Sequence, residues 1–80
     1  MIQRIKNGEK PTDLLEEIKA SNREFGNHDL ASAFVKIIGY SSLDIIQPIW
    51  YWKRYRKSGG HGDDELDKII IAVLKEAGII

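Results

Sequence analysis

The sequence predicts one all-α domain over residues 1–80, a small four-helix bundle with a short N-terminal arm. Apolar residues recur at intervals of three and four, and glycines or capping residues bound those stretches. The one run of β-branched residues, Ile69–Ile71, falls inside a twelve-residue helical pattern. A length of 80 residues suffices for one domain but not for two, and with 42% hydrophobic and 30% charged residues the chain has enough apolar mass for a core.

The first predicted helix covers about residues 12–25 and follows the N-terminal arm. Pro11 precedes it, and Asp13 with Glu16 offers capping-box chemistry. Gly26 is expected to end it in the left-handed conformation. Its apolar positions keep the helical spacing: Leu14, Leu15, Ile18 and Phe25.

The second predicted helix covers residues 29–38. Asp29 is expected to cap its first turn, and Gly39 is expected to end it. Ser41 or Ser42 then opens a third helix, so only two or three residues connect the two. So short a connection predicts that the helices cross at an angle, as in helix-turn-helix units.

The third predicted helix covers residues 42–57 and is apolar around nearly its whole circumference. It is therefore central to the bundle, or it presents apolar surface to a partner. Pro48 cannot donate a backbone hydrogen bond, so a kink or break is expected near Asp44 and Ile45. Its apolar residues are Leu43, Ile45, Ile46, Ile49, Trp50, Tyr51, Trp52 and Tyr55.

The fourth predicted helix covers residues 63–77 and has the clearest periodicity in the chain. Gly78 suits the position after its end, and Ile79 can close back on Leu74 as in a Schellman cap. Its apolar residues are Leu66, Ile69, Ile70, Val73, Leu74 and Ala77.

The charges cancel over the chain, but two adjacent blocks carry opposite signs. Twelve basic and twelve acidic residues, with a pI near 6.7, argue against a surface built wholly for nucleic acid. Residues 50–60 sum to +4 and residues 61–67 to −4. These blocks complement the dipoles at the end of the third helix and at the start of the fourth.

Composition excludes several classes of function. The chain has no cysteine, which removes disulfides, zinc–thiolate sites, iron–sulfur clusters and thiol nucleophiles. Its two histidines, His28 and His61, fall in predicted loops without the spacing of catalytic or metal sites. We therefore expect no catalytic residues, no cofactor and no metal, and a protein that is not an enzyme.

The sequence predicts neither export nor a membrane span. Residues 1–10 contain Arg4, Lys6 and Lys10 and lack the apolar run of a signal peptide. The longest mainly apolar stretch without charge, Ile45–Trp52, has eight residues, whereas a bilayer requires about 20. We therefore expect a soluble, cytoplasmic protein.

The aromatic and basic end of the third helix is the candidate functional site. Successive helical residues lie about 100° apart, so Trp50, Tyr51 and Trp52 cannot all enter one small core, and at least one is expected at the surface. Trp, Tyr and Arg often anchor protein interfaces. We therefore expect a protein–protein interaction or regulatory module that binds another protein or associates with itself. The candidate partner-binding residues are Trp50, Trp52, Lys53, Arg54, Tyr55, Arg56 and Lys57.

The alternative is a nucleic-acid-binding protein. Residues 31–50 have the spacing of a helix-turn-helix, although Pro48 falls where its second helix buries an aliphatic residue. The basic segment 53–57 offers cations to phosphates, and the aromatic rings beside it can stack on unpaired bases. A helix lying at a membrane surface is a third option, because aromatic and basic residues occur together.

Overall fold

The fold consists of α-helices joined by short turns in the computed structural model, which describes residues 2–52 and 60–80. The helices are α1 (Ile2–Lys6), α2 (Pro11–Ser21), α3 (Asn27–Ile38), α4 (Leu43–Trp50) and α5 (Asp63–Glu76). No strand occurs in the two described ranges, where the one β-type contact is an isolated bridge between Trp52 and His61. The predicted all-α class is confirmed, and α1 is the short N-terminal piece.

The four longer helices form a closed ring around one core. α3 contacts α2 and α4, and α5 contacts the same two helices. Each buried aliphatic or aromatic side chain contributes about 1.5–3 kcal/mol relative to an exposed one, so this shared core is the main source of stability. Its largest fully buried side chains are Leu14, Leu15, Leu30, Phe34, Ile45, Ile49, Trp52, Leu66, Ile70 and Leu74.

α2 ends at Ser21, earlier than the sequence predicted. Asn22 ends it, because its side-chain Nδ2 donates to the carbonyl of Ile18 at 3.0 Å and its backbone N–H donates to the carbonyl of Lys19. The prediction that Gly26 is a left-handed stop was wrong. Its φ is −89°, and it is the residue that precedes and caps α3.

α3 begins at Asn27, two residues before the predicted start. Asp29 is therefore not the N-cap residue of α3 but lies inside its first turn. From there its carboxylate accepts a hydrogen bond of 3.2 Å from the backbone N–H of Gly26, which is the reach-back half of a capping box. The predicted end is confirmed, since Gly39 has φ +79° and donates its N–H to the carbonyl of Val35.

α4 is shorter than predicted, and it ends at Trp50. Pro48 cannot donate into the helix, and the N–H of Trp52 bonds to the carbonyl of Ile49, three residues back, at 3.0 Å. Such tightening is typical of a last helical turn. Pro48 thus lies near the end of an unbroken helix rather than causing a break near its start. Tyr51 and Trp52 follow α4 and are not helical, and residues 53–57 of the predicted helix 42–57 lie outside the described residues.

α5 ends in the predicted Schellman cap. Gly78 has φ +75°, and its N–H donates to the carbonyl of Lys75 at 3.1 Å. The N–H of Ile79 reaches the carbonyl of Leu74 at 2.9 Å. These two bonds satisfy carbonyl groups that the last turn otherwise leaves without donors.

A buried carboxylate joins α5 to the start of α2. Asp67 is 7% exposed, and its two oxygens accept the backbone N–H of Thr12 at 2.8 Å and the Thr12 hydroxyl at 3.1 Å. Pro11 has no N–H, so Asp67 caps the first available amide of α2 from another helix. Asp13, predicted in a capping box, lies inside the first turn. Burial raises the pKa of Asp67 above its ordinary value, and its bonds to Thr12 oppose that rise.

Candidate functional site

α3 and α4 lie side by side as an antiparallel hairpin. The Nδ2 of Asn27, at the start of α3, donates to the carbonyl oxygens of Trp50 and Trp52, both at 3.0 Å. The rings of His28 and Trp50 have centroids 4.6 Å apart, with an angle of 33° between their planes. Helices of these lengths meeting at a right angle would hold their far ends about 20 Å apart. The corner therefore closes on itself, unlike the wide corner of the helix-turn-helix units to which the predicted crossing was compared.

α4 is apolar on its outward side as well as on its inward side. Ile45 and Ile49 face the core and are fully buried. A stripe with the spacing i, i+3, i+4 and i+7 is formed by Leu43, Ile46, Gln47 and Trp50. Leu43 and Gln47 are exposed, whereas Ile46 and Trp50 are partly buried and pack against the core. Leu43 is 62% exposed, so this helix carries hydrophobic surface that the described part of the chain does not cover.

A shallow groove runs between the two helices. Ser32 and Lys36 of α3 form one side, and Ile46 of α4 forms the other. The groove has a volume of about 450 Å³ and is open to solvent, and Val35 and Tyr40 also line it. Along α3, every fourth residue beside the groove is exposed and polar. We use the name α3–α4 face for His28, Ser32, Lys36, Leu43, Ile46, Gln47 and Trp50.

The structure separates the three aromatic residues that the sequence grouped together. Trp50 is half-buried on the α3–α4 face, and Tyr51 is 49% exposed. The prediction that at least one of these rings lies at the surface is therefore confirmed. Trp52 is fully buried, so the prediction that its ring is available to a partner was wrong. The other predicted site residues lie outside the described residues: Lys53, Arg54, Tyr55, Arg56 and Lys57.

Trp52 is buried because it no longer belongs to α4. The 100° step between successive residues applies only within a helix, and α4 ends at Trp50. The backbone then turns, and the N–H of His61 donates to the carbonyl of Tyr51 at 2.7 Å. The indole of Trp52 enters the core, and its Nε1 donates to the carboxylate of Asp63 at 2.8 Å.

Sequence reasoning missed several members of the α3–α4 face. Leu43 and Ile46 were recognised as apolar, but their outward position depends on where α4 ends. His28 and Asn27 were placed in a loop, although α3 includes both. A signal was present, since Asn27 and His28 directly follow Gly26 and precede an apolar helical pattern.

The histidines have separate surroundings in the structure. His28 lies against Trp50, and the Nδ1 of His61 lies 2.9 Å from the carboxylate of Glu65. Within residues 2–52 and 60–80, no three His, Asp or Glu side chains come together in a group able to hold a metal ion. None of the helices in these ranges has the length and apolar character needed to cross a membrane.

Comparison with protein-family models, with curated proteins and with solved structures found no match for this chain. The function is therefore inferred from the geometry of the α3–α4 face. Nucleic-acid binding through the basic segment 53–57 stays a prediction, and the helix-turn-helix corner that accompanied it is replaced by the antiparallel hairpin.

Proposed function

We propose that the protein is a small, non-enzymatic protein–protein interaction module with a regulatory or accessory role, which binds its partner through the α3–α4 face. The observation that carries the proposal is the outward side of α4. Leu43, Ile46 and Trp50 lie there at i, i+3 and i+7, and Leu43 is 62% exposed. Ile46 and Trp50 are partly buried and also pack against the core, so Leu43 is the member of this stripe whose apolar surface the described part of the monomer leaves uncovered.

The spacing of these residues suits helix-mediated recognition. Helices that dock into apolar grooves use anchors at i, i+3 or i+4, and i+7. Trp is among the residues that contribute most to interfaces. The contact between Trp50 and His28 also restrains the indole before binding. A restrained side chain loses less conformational entropy when a partner docks.

The polar residues around the apolar stripe suit the edge of an interface. Ser32 and Lys36 lie on one side of the stripe, and Asp44 lies on the other side, beside Gln47; all four are exposed. Interfaces usually combine an apolar centre with a polar rim that stays close to water. The α3–α4 face, together with Asp44 beside it, has this composition.

A photo-crosslinking residue tests this function in cells that produce the protein. Gln47, at the middle of the face, is replaced by p-benzoylphenylalanine, and Ala72, exposed on the outer side of α5, receives the same group as the control. We expect protein adducts from position 47 only, and we expect Trp50→Ser to abolish them. Equal adducts at both positions, or adducts unaffected by Trp50→Ser, would contradict the proposal.

A stability measurement accompanies this experiment. Leu43→Ser should leave the thermal midpoint nearly unchanged, because Leu43 is 62% exposed, while it removes binding through the face. Substitutions of exposed residues usually change stability by less than about 0.5 kcal/mol. A cooperative loss of the fold in Leu43→Ser would show that the residue serves the monomer rather than a partner.

A further inference from the structure

We infer that the partner on the α3–α4 face is a second copy of the same chain, an inference that rests on the proposed function. The face is complementary to itself about a two-fold axis. Most soluble assemblies of identical chains use such an axis, which requires that one surface patch match itself after rotation.

The register of the hairpin fixes where the axis lies. His28 is level with Trp50, because their rings are in contact. Ser32 and Lys36 lie across the groove from Ile46. Because the helices are antiparallel, Ser32, four residues after His28, is level with Ile46, four residues before Trp50 and near the middle of the α4 stripe. A two-fold axis that lies in the interface at this level, perpendicular to both helices, places α3 of one copy against α3 of the other and α4 against α4. The helices in each pair are antiparallel.

Such an axis pairs the apolar residues of α4. Leu43 and Trp50 lie at equal distances, about 5 Å along the helix, from the middle of the stripe. The rotation brings Leu43 of each copy to the level of Trp50 of the other, and Ile46 lies close to the axis. The most exposed apolar side chain of the face thus meets its largest ring, twice in the dimer.

The same axis pairs opposite charges on α3. Asp29 lies three residues before Ser32 and Lys36 lies four residues after it, and both charged residues are exposed. Rotation about Ser32 brings Lys36 of one copy to Asp29 of the other, again twice. This charge complementarity, which coincides with the apolar pairing, favours a second copy over an unrelated protein.

The area of the face also suits this partner. A stable interface takes about 800 Å² from each partner, which is about a sixth of the 4851 Å² surface of the protein. The molecule measures 33 × 24 × 20 Å, so an interface of that area would use one broad side of the molecule, of which the α3–α4 face is a part.

Sedimentation equilibrium of the purified full chain tests the inference between about 1 and 500 μM. We expect the mass to rise from 9.1 kDa toward about 18 kDa, which is twice the mass of the chain. Lys36→Glu should weaken the dimer at least about tenfold, because it places two like-charged pairs across the axis. Lys68→Glu, on the exposed side of α5, is the matched control and should leave association unchanged.

A charge exchange makes the test specific. Asp29→Lys added to Lys36→Glu should restore association, because it re-creates both opposite-charge pairs with their signs reversed. Asp29→Lys also removes the acceptor for the N–H of Gly26, so thermal melting is followed in every variant. If the double variant is less stable but dimerises again, the recovery comes from the restored charge pairs and not from a more stable fold. A double variant that stays folded but monomeric would overturn the inference.

The crosslinker at Gln47 distinguishes failure of this inference from failure of the proposed function. An adduct of about 18 kDa identifies a second copy and supports both. An adduct of another mass, with a chain that is monomeric at 500 μM, overturns the second copy and leaves the proposed function standing. A monomeric chain without any adduct at position 47 overturns both.

Discussion

The indole nitrogen of Trp52 donates a hydrogen bond of 2.8 Å to the carboxylate of Asp63. The ring of Trp52 is fully buried, while Asp63 is an exposed residue in the first turn of α5. The bond therefore satisfies a buried donor with a group at the surface. Together with the bond from His61 to Tyr51, it fixes the end of α4 to the start of α5.

Asp63→Ala should lower the free energy of unfolding by about 1–3 kcal/mol, the usual cost of a buried polar group that has lost its partner. Asp64→Ala is the matched control, because Asp64 lies in the same turn and carries the same charge. Urea denaturation of both variants measures the difference. Trp52→Phe in each background completes a double-mutant cycle. Equal losses in Asp63→Ala and Asp64→Ala would show that only the helix dipole is involved.

Asp67→Asn should retain the stability of the protein at neutral pH, because an amide keeps the oxygen that accepts from Thr12 and can donate to its hydroxyl. The folded state raises the pKa of Asp67 above 3.8, the value of an aspartate in the unfolded chain. The stability that depends on a protonated Asp67 is fully present below pH 3.8, and it is lost as the pH rises through the pKa of Asp67 in the folded state. The free energy of unfolding of Asp67→Asn should therefore increase relative to that of the original protein as the pH rises above about 4.

Urea denaturation at several pH values between 3 and 7 measures this trend. Asp67→Ala is the companion variant, and it should be destabilised by about 1–3 kcal/mol because it leaves the N–H of Thr12 without its acceptor. A difference between Asp67→Asn and the original protein that does not vary with pH would contradict the role assigned to burial.

Asn27→Asp should destabilise the protein more than Asn27→Ala. The amide of Asn27 donates to two carbonyl oxygens, those of Trp50 and Trp52, and Asn27 is only 8% exposed. A carboxylate would face both acceptors without a proton to share, and burying an unpaired charge is costlier than losing a bond. Chemical denaturation at pH 7 checks the order, and the reverse order would show that the two bonds contribute little.

Gly39→Ala should lower the free energy of unfolding by about 1 kcal/mol, because residue 39 has φ +79° and a Cβ disfavours the left-handed conformation by about that amount. A Cβ there meets no atom within 4 Å, so the cost is one of backbone conformation. Gly39→Asn is the control and should lose less, since Asn tolerates this conformation. Equal losses measured by thermal denaturation would point to another cause.

The periodic segments of this chain could be predicted because their signals are local. The spacing of Leu66, Ile70 and Leu74 and the glycine at position 78 predicted α5 and its cap, and the structure agrees. Helix starts and ends were less certain where tertiary contacts replace a local cap. The start of α2 is an example, because its capping group is Asp67, 55 residues away.

The candidate site was predicted in part, for a related reason. The excess of apolar residues in α4 indicated that one side of it faces outward, and Leu43 shows this. The burial of Trp52 could not be predicted, because it depends on the backbone bridge to His61, a residue that is not its neighbour in the sequence. Beyond the end of a helix, the angle between successive side chains is set by the turn and not by the helical repeat.

Two of the side-chain hydrogen bonds between helices close chain loops of different length and so imply an order of assembly. Asn27 and Trp50 are separated by 23 positions along the chain, whereas Thr12 and Asp67 are separated by 55. Closing the longer loop costs about 0.8 kcal/mol more entropy. This difference favours a pathway in which the α3–α4 hairpin forms early and the joint between α2 and α5 closes late. Backbone amide hydrogens near Thr12 and Asp67 should then exchange through opening reactions of lower free energy than those of the α3–α4 hairpin.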